Sequence, residues 1–103
     1  MSREHEIERI IPADHPSLAG HFPGNPIVPG VVILDEVVDA LLQSGQARGL
    51  IGISSVKFTA PLRPGQAFLI RFGALTGGRV DFRCTLPGGQ MVAQGQLQVV
   101  AQE

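Results

Sequence analysis

The sequence predicts an α+β domain in which an antiparallel β-sheet wraps around one α-helix. One apolar run, residues 30–43, has the length and spacing of a helix. Several later runs alternate apolar and polar residues and are separated by glycine-rich turns. Short reversals make neighbouring strands antiparallel, and a sheet with one apolar face needs a cover. The helix is the candidate for that cover.

The first elements are a strand at 4–11 and a connection at 12–29 that is rich in proline and glycine. Residues that precede proline are held in extended geometry, so this connection is stiff. Long connections in small domains often carry function. The helix begins at Pro29 or Gly30, because proline suits a first helical turn, and it ends near Gln43.

Four strand-like runs follow the helix. In the first of them the alternation changes parity between Ile53 and Val56, which predicts a β-bulge at Ser54–Ser55. The other three runs each have one apolar face, and tight turns connect them. The predicted strands are 51–58, 68–72, 80–86 and 93–99.

Composition limits the classes of function. The 103 residues have room for one domain, 1–103, and 44% of them are hydrophobic, which is typical of a folded chain. A net charge of −1 gives no electrostatic ground for binding nucleic acid or an acidic membrane surface. No apolar run reaches the roughly 18 residues of a membrane span. The single cysteine, Cys84, fits a reducing compartment, so we expect a cytoplasmic protein.

One histidine and one carboxylate stand out as candidates for chemistry. His21 lies in the stiff connection, and Asp35 follows it by 14 residues in the helix. An imidazole and a carboxylate, each held by its surroundings, suit general acid–base catalysis on an apolar substrate. Both residue types also have structural uses in loops and first helical turns, and the spacing leaves that alternative open. We expect His5 and His15 to be structural.

Helical spacing separates Asp35 from the neighbouring acid. With about 100° per residue, an apolar stripe centred on Val31 lies within roughly 80° of that residue, and Asp35 lies at its edge, about 40° away. Glu36 falls at about 140°, towards solvent, and Asp39 is intermediate. We expect the stripe to face the sheet or a partner, and Asp35 to be the shielded acid. The stripe consists of Val31, Leu34, Val38, Leu41 and Leu42.

Two segments resemble a known family. Residues 20–31, GHFPGNPIVPGV, followed by Asp35, closely resemble the active-site segment of the FabA/FabZ-type β-hydroxyacyl-acyl-carrier-protein dehydratases. Residues 57–65, KFTAPLRPG, are similar to the strand and P-x-x-PG turn that follow the helix in that family. The resemblance covers essentially the whole chain. It implies the hotdog fold, in agreement with the helix-in-sheet prediction.

The resemblance also implies roles for individual residues. His21 would take the α-proton of an acyl thioester, and Asp35 would assist departure of the β-hydroxyl group as water. The backbone N–H of Gly30 would polarise the thioester carbonyl. In this family the two catalytic residues come from different subunits of a dimer. An apolar tunnel would hold the acyl chain, and we assign it to Phe22, Ile27, Val28 and Val31.

The implied partners are an acidic acyl carrier protein, which delivers the thioester on its phosphopantetheine arm, and a second hotdog chain. That second chain is a copy of this one or a related subunit. No metal site or further cofactor is expected. Asp39 stands where the family often has glutamine, and Trp and Tyr are absent from the chain. The alternatives are a hotdog acyl-thioester hydrolase and a non-catalytic partner subunit of a dehydratase.

Overall fold

The computed structural model describes residues 5–12, 14 and 27–101. Within these ranges the chain forms one helix and a five-stranded antiparallel sheet of order β1-β3-β4-β5-β2. Among the described residues, no helix is long and apolar enough to span a membrane. The single described helix and the antiparallel sheet confirm the predicted α+β architecture. The elements are β1 (His5–Ile10), α1 (Gly30–Gln43), β2 (Ala47–Phe58), β3 (Ala67–Phe72), β4 (Arg79–Thr85) and β5 (Met91–Ala101).

The three consecutive strands β3, β4 and β5 build the centre of the sheet. Their predicted apolar faces are confirmed, because alternate residues along each strand are buried beneath α1. We call this side the inner face. Its buried side chains include Phe68, Ile70, Phe72, Val80, Phe82, Cys84, Ala93, Leu97 and Val99.

Strand β2 lies at one edge of the sheet and is irregular. The predicted bulge is confirmed by a register shift between Ile53 and Ser55 against β5. The strand begins at Ala47, earlier than the predicted position 51. Two further register shifts, after Ala47 and after Leu50, break the period of two there and hide that part of the strand from pattern analysis.

The helix turns a different face to the sheet from the one expected. Val31 is 64% exposed and Leu42 is 41% exposed, so the part of the stripe that they form does not pack on the sheet. Apolar residues occupy most of the circumference of α1, and periodicity alone does not show which apolar third meets the sheet. The alternative, that the stripe faces a partner, stays a prediction. The residues buried instead are Val32, Ile33, Val37, Ala40 and Leu41.

Arg9 of β1 forms ion pairs and hydrogen bonds with the polar side of α1. Arg9 donates to Asp39 at 2.8 Å, to Glu36 at 3.2 Å and to Gln43 at 3.2 Å. The hydrogen bond to Asp39 raises the pKa of Arg9 above its ordinary value, and burial opposes that shift. Glu36 is therefore a half-buried ion-pair partner, and the expectation that it faces solvent is wrong. Its position towards β1 follows from the way α1 is rolled on the sheet.

Candidate active site

Backbone hydrogen bonds join the segment before α1 to the turn after β2. The N–H of Val28 donates to the carbonyl of Leu62 at 2.8 Å, and the N–H of Gly65 donates to the carbonyl of Ile11 at 2.7 Å. The N–H of Thr59 donates to the carbonyl of Val92 at 2.9 Å. The two segments that carry the family resemblance thus meet at one end of the sheet.

A pocket of about 520 Å³ opens between these segments. Most of its lining is aliphatic or aromatic, as suits an acyl chain. Thr59 also lines the pocket, and its hydroxyl group donates a hydrogen bond to the carbonyl of Met91 at 3.0 Å. Ile27, Val28 and Gly30, all assigned to the substrate site from the sequence, are part of the wall. The full lining is Ile27, Val28, Gly30, Ile33, Phe58, Thr59, Ala60, Pro61 and Leu62.

Gly30 begins the helix at the edge of this pocket. Pro29 precedes it in extended geometry, and the first hydrogen bond of the helix runs from the N–H of Val32 to the carbonyl of Pro29 at 3.0 Å. The N–H groups of Gly30 and Val31 therefore have no partner within the helix. A helix N-terminus stabilises negative charge through such groups and the helix dipole. This position can polarise a carbonyl oxygen.

Gly30 is in close contact with the ring of Phe58. A Cβ atom there would lie 2.6 Å from Cζ of Phe58, closer than carbon atoms approach. The ring of Phe58 therefore rests on the first residue of the helix. Any larger residue at this position would displace the ring.

The acids of α1 have different environments. Glu36 and Asp39 both pair with Arg9, whereas Asp35 makes no ion pair or side-chain hydrogen bond with the residues that the structure describes. Asp35 is exposed. The sheet does not shield Asp35, because the Val31 side of α1 faces away from it, and shielding by a partner stays a prediction. Among the residues that the structure describes, none engages this carboxylate, which leaves it available for chemistry there.

A single chain does not bring all the predicted site residues together. Asp35 lies about 140° around the helix from Gly30, at 100° per residue, and neither it nor the exposed Val31 lines the pocket. His21 and Phe22 lie outside the described residues. The described part of the chain thus holds the helix N-terminus and an apolar pocket on one side of α1, and the carboxylate on another.

Sequence patterns missed two residues of this region. The sequence pattern predicts a strand at Phe58 and no role for its side chain, although it belongs to the KFTAPLRPG segment that carries the resemblance. Arg9 was not singled out, because one arginine in an edge strand has no pattern that pairs it with a helix 27 residues away. Each of these roles depends on tertiary contacts.

Cys84 is not a nucleophile candidate. It is fully buried on the inner face of β4, and burial raises the pKa of its thiol to about 12. Because the thiolate is the reactive form, this side chain is inert at neutral pH. It acts as a small apolar core residue, as its place in the alternation predicted.

A second pocket, of about 480 Å³, lies on the outer face of the sheet across β2, β4 and β5. Charged side chains line it, among them Lys57, Asp81 and Arg83, and Gln96 donates to Asp81 at 3.1 Å. An acyl chain would leave these polar groups poorly solvated. The pocket at the helix N-terminus is therefore the better candidate for the active site.

A helix enclosed by an antiparallel sheet, with an apolar pocket at the helix N-terminus and an exposed carboxylate on the helix, defines a hotdog-fold protein suited to acyl-thioester chemistry. Comparison with known proteins narrows this class. The model of the ApeI-like family, described as ApeI dehydratase, matches residues 1–96. The chain belongs to this family of dehydratases.

Named relatives agree with that assignment. The 3-hydroxyacyl-[acyl-carrier-protein] dehydratase FabZ of Chlamydia trachomatis serovar L2 is 32% identical over 107 residues, which cover 90% of this chain and 69% of the relative. FabZ of Proteus mirabilis is 40% identical over 81 residues, 79% of this chain and 45% of the relative.

Solved structures confirm the hotdog fold. The dehydratase heterocomplex ApeI:P from Xenorhabdus doucetiae superposes with a TM-score of 0.78 at 28% identity, covering 94% of this chain and 87% of the other. An (R)-hydratase from A. caviae superposes with a TM-score of 0.72 at 17% identity, covering 96% of this chain and 94% of the other. A hexameric acyl-CoA thioesterase superposes with a TM-score of 0.63 at 20% identity, covering 95% of this chain and 68% of the other. Since dehydratase, hydratase and thioesterase share this fold, the fold alone does not select the reaction.

Proposed function

We propose that this chain removes water from β-hydroxyacyl thioesters carried on acyl carrier protein and forms trans-2-enoyl thioesters. The observation that carries the proposal is the apolar pocket at the N-terminus of a helix that also presents an uncommitted carboxylate. Membership of the ApeI-like dehydratase family, over residues 1–96, supports the same reaction. The FabZ relatives are named for this activity on acyl-carrier-protein substrates.

The proposed chemistry assigns one step to each group. His21 takes a proton from C2, and the electron pair of that C–H bond forms the C2–C3 double bond. Asp35 donates a proton to the hydroxyl group on C3, which leaves as water when its C–O bond breaks. Negative charge that develops on the thioester oxygen is stabilised by the N–H of Gly30 at the helix N-terminus. His21 then releases its extra proton to solvent and Asp35 takes up a proton, so both side chains return to their starting states.

A second chain completes the proposed site. In the single chain Asp35 lies outside the pocket, and apolar side chains around it face solvent. Exposed apolar side chains of this kind are typical of a protein interface, and β2 is an edge strand of the sheet. We infer a dimer with a copy of this chain or a related hotdog subunit, as in the ApeI:P heterocomplex. The exposed residues outside the pocket are Val31 and Leu42 on α1, and Leu50, Ile51, Ile53 and Val56 on β2.

Two further parts of the proposal concern the setting of the reaction. The thioester arrives on the phosphopantetheine arm of a carrier protein, and the apolar pocket receives the acyl chain. We expect the reaction to take place in the cytoplasm.

One assay separates this function from its main alternative. The purified protein is incubated with a β-hydroxyacyl carrier protein while enoyl product and free thiol are followed separately. Dehydration gives the enoyl thioester and no free thiol. A thioesterase on the same fold would release the thiol without forming an enoyl product, and that result would contradict the proposal. The non-catalytic alternative predicts neither product unless a related subunit is added.

A further inference from the structure

We propose that Phe58 makes the enzyme selective against acyl groups with a substituent on C2. The proposal rests on the dehydratase function and on the placement of the thioester carbonyl at Gly30. Phe58 is then a specificity-determining residue, which acts by contact with the carbons next to that carbonyl. Nothing in the proposed chemistry requires an aromatic ring at this position.

Backbone pairing places Phe58 at the end of β2, and a contact with Gly30 places its ring. Phe58 is the last residue of β2, lies opposite Ala93 in the register, and points to the inner face. The next residue, Thr59, is held by its N–H to the carbonyl of Val92 at 2.9 Å. The ring rests on Gly30, where an added Cβ would lie 2.6, 2.9 and 3.1 Å from three ring carbons.

The other side of the ring is open to the pocket. Phe58 is 45% exposed and belongs to the pocket wall together with Val28 and Leu62. Val28 and Leu62 are joined by a backbone hydrogen bond of 2.8 Å. The ring therefore lines the pocket at its helix end, beside Gly30.

The location of the ring decides which part of a substrate it meets. A carbonyl oxygen bound to the N–H of Gly30 places C1 and C2 of the acyl group beside this residue. A ring that touches Gly30 then also touches C2, while the tail of the chain extends away from the helix N-terminus. We therefore expect Phe58 to exclude a methyl group on C2 and to have little influence on chain length.

The test compares three substrates on the carrier protein: 3-hydroxybutyryl, 2-methyl-3-hydroxybutyryl and 3-hydroxyoctanoyl thioesters. One misplaced methyl group changes kcat/KM by about 10- to 200-fold in a fitted apolar site. The native protein should prefer the unbranched C4 substrate over the 2-methyl substrate by a factor in this range. In Phe58→Ala the preference should fall at least tenfold, while the ratio between C4 and C8 substrates changes little.

Two other variants keep the result interpretable. Phe58→Leu retains an apolar side chain and should give an intermediate preference, even if Phe58→Ala fails to fold. Ile10→Ala removes an apolar side chain that is 53% exposed on β1, away from the pocket, and should leave all ratios unchanged. The proposal is wrong if Phe58→Leu leaves the 2-methyl discrimination unchanged, or if its effect is on chain length. If the native protein dehydrates none of the substrates, the proposed function itself fails.

A suppressor experiment tests the contact directly. Gly30→Ala keeps the backbone N–H but places a Cβ against the ring, so activity on the unbranched substrate should fall. Phe58→Ala in the same chain removes that overlap and should restore most of the lost activity. If the double variant is no better than Gly30→Ala alone, the ring does not define this end of the site, and the proposal is overturned.

Discussion

The three carboxylates of α1 differ in their contacts: two pair with Arg9 and one is exposed. Asp39 and Glu36 hold Arg9 of β1, which fixes the rotation of α1 on the sheet. Asp35 is exposed and has no such contact among the described residues. The glutamine-to-aspartate departure at position 39 thus has a structural use in this chain, as the partner of Arg9 at 2.8 Å.

Isosteric amides distinguish these carboxylates. Asp35→Asn should abolish dehydration without changing the free energy of unfolding by more than about 0.5 kcal/mol, because no structural contact is lost. Glu36→Gln should retain activity and cost at most about 1 kcal/mol, because Asp39 still holds Arg9. Steady-state kinetics and urea unfolding measure both quantities. If Glu36→Gln inactivates the enzyme as strongly as Asp35→Asn, the assignment of Asp35 is wrong.

Cys84 gives a prediction that depends on pH. Burial raises the pKa of its thiol from 9.0 to about 12 in the folded chain. A thiol whose pKa is raised by folding contributes stability below pH 9, and that contribution is lost between pH 9 and 12. Unfolding midpoints in urea should fall over this interval, and less so in Cys84→Val.

The same burial predicts the reactivity of Cys84. A thiol reagent at pH 8 should leave the folded protein unmodified and should react once urea unfolds it. Mass spectrometry of the protein with and without urea provides the measurement. Modification of the folded protein at the rate of a free thiol would show that the inner face is not closed over Cys84.

The irregular strand β2 approaches its neighbour β5 closely at one point. Its bulge brings the carbonyl oxygen of Ser55 against Gly95 of β5, and the ring of Phe82 lies on the same position. A Cβ atom at residue 95 would overlap that oxygen and lie 2.9 Å from the ring. Glycine at this position allows the bulged edge strand to stay paired.

Gly95→Ala should therefore destabilise the fold by about 1–3 kcal/mol, the usual cost of overpacking. Gly88→Ala is the matched control, since a Cβ in that turn meets no atom within 4 Å. It should change the free energy of unfolding by less than about 0.5 kcal/mol. Equal stability of the two variants in urea would mean that β2 does not approach Gly95 as described.

The elements also show what a sequence pattern can predict. Strands β3, β4 and β5 each keep one apolar face in strict alternation, so their bounds and buried residues followed from the sequence within a few positions. The rotation of α1 did not follow, because most of its circumference is apolar and the ion pairs of Arg9 decide its orientation. The candidate site followed in part: Ile27, Val28 and Gly30 line the pocket, whereas Phe58 becomes part of it only through a contact across the fold.

In the molecule as a whole, the two sides of α1 differ in their exposure to solvent. One side is buried on the sheet, and the other exposes Val31 and Leu42; the edge strand β2 also exposes apolar side chains. A chain of 103 residues buries a modest core, and association would add to it. The exposed side also carries Asp35, so the same association would shield the carboxylate that the proposed chemistry uses.

In the proposed mechanism His21 of one chain and Asp35 of another form one dehydratase site, and mixing of subunits is the test of that pairing. His21→Ala and Asp35→Asn are each prepared as inactive proteins, mixed in equal amounts and allowed to exchange, with mixed dimers verified by native mass spectrometry. Random exchange makes about half of the dimers mixed, each with one intact site, so about a quarter of the native activity per site should return. Mixed dimers that form and remain inactive would contradict the shared site.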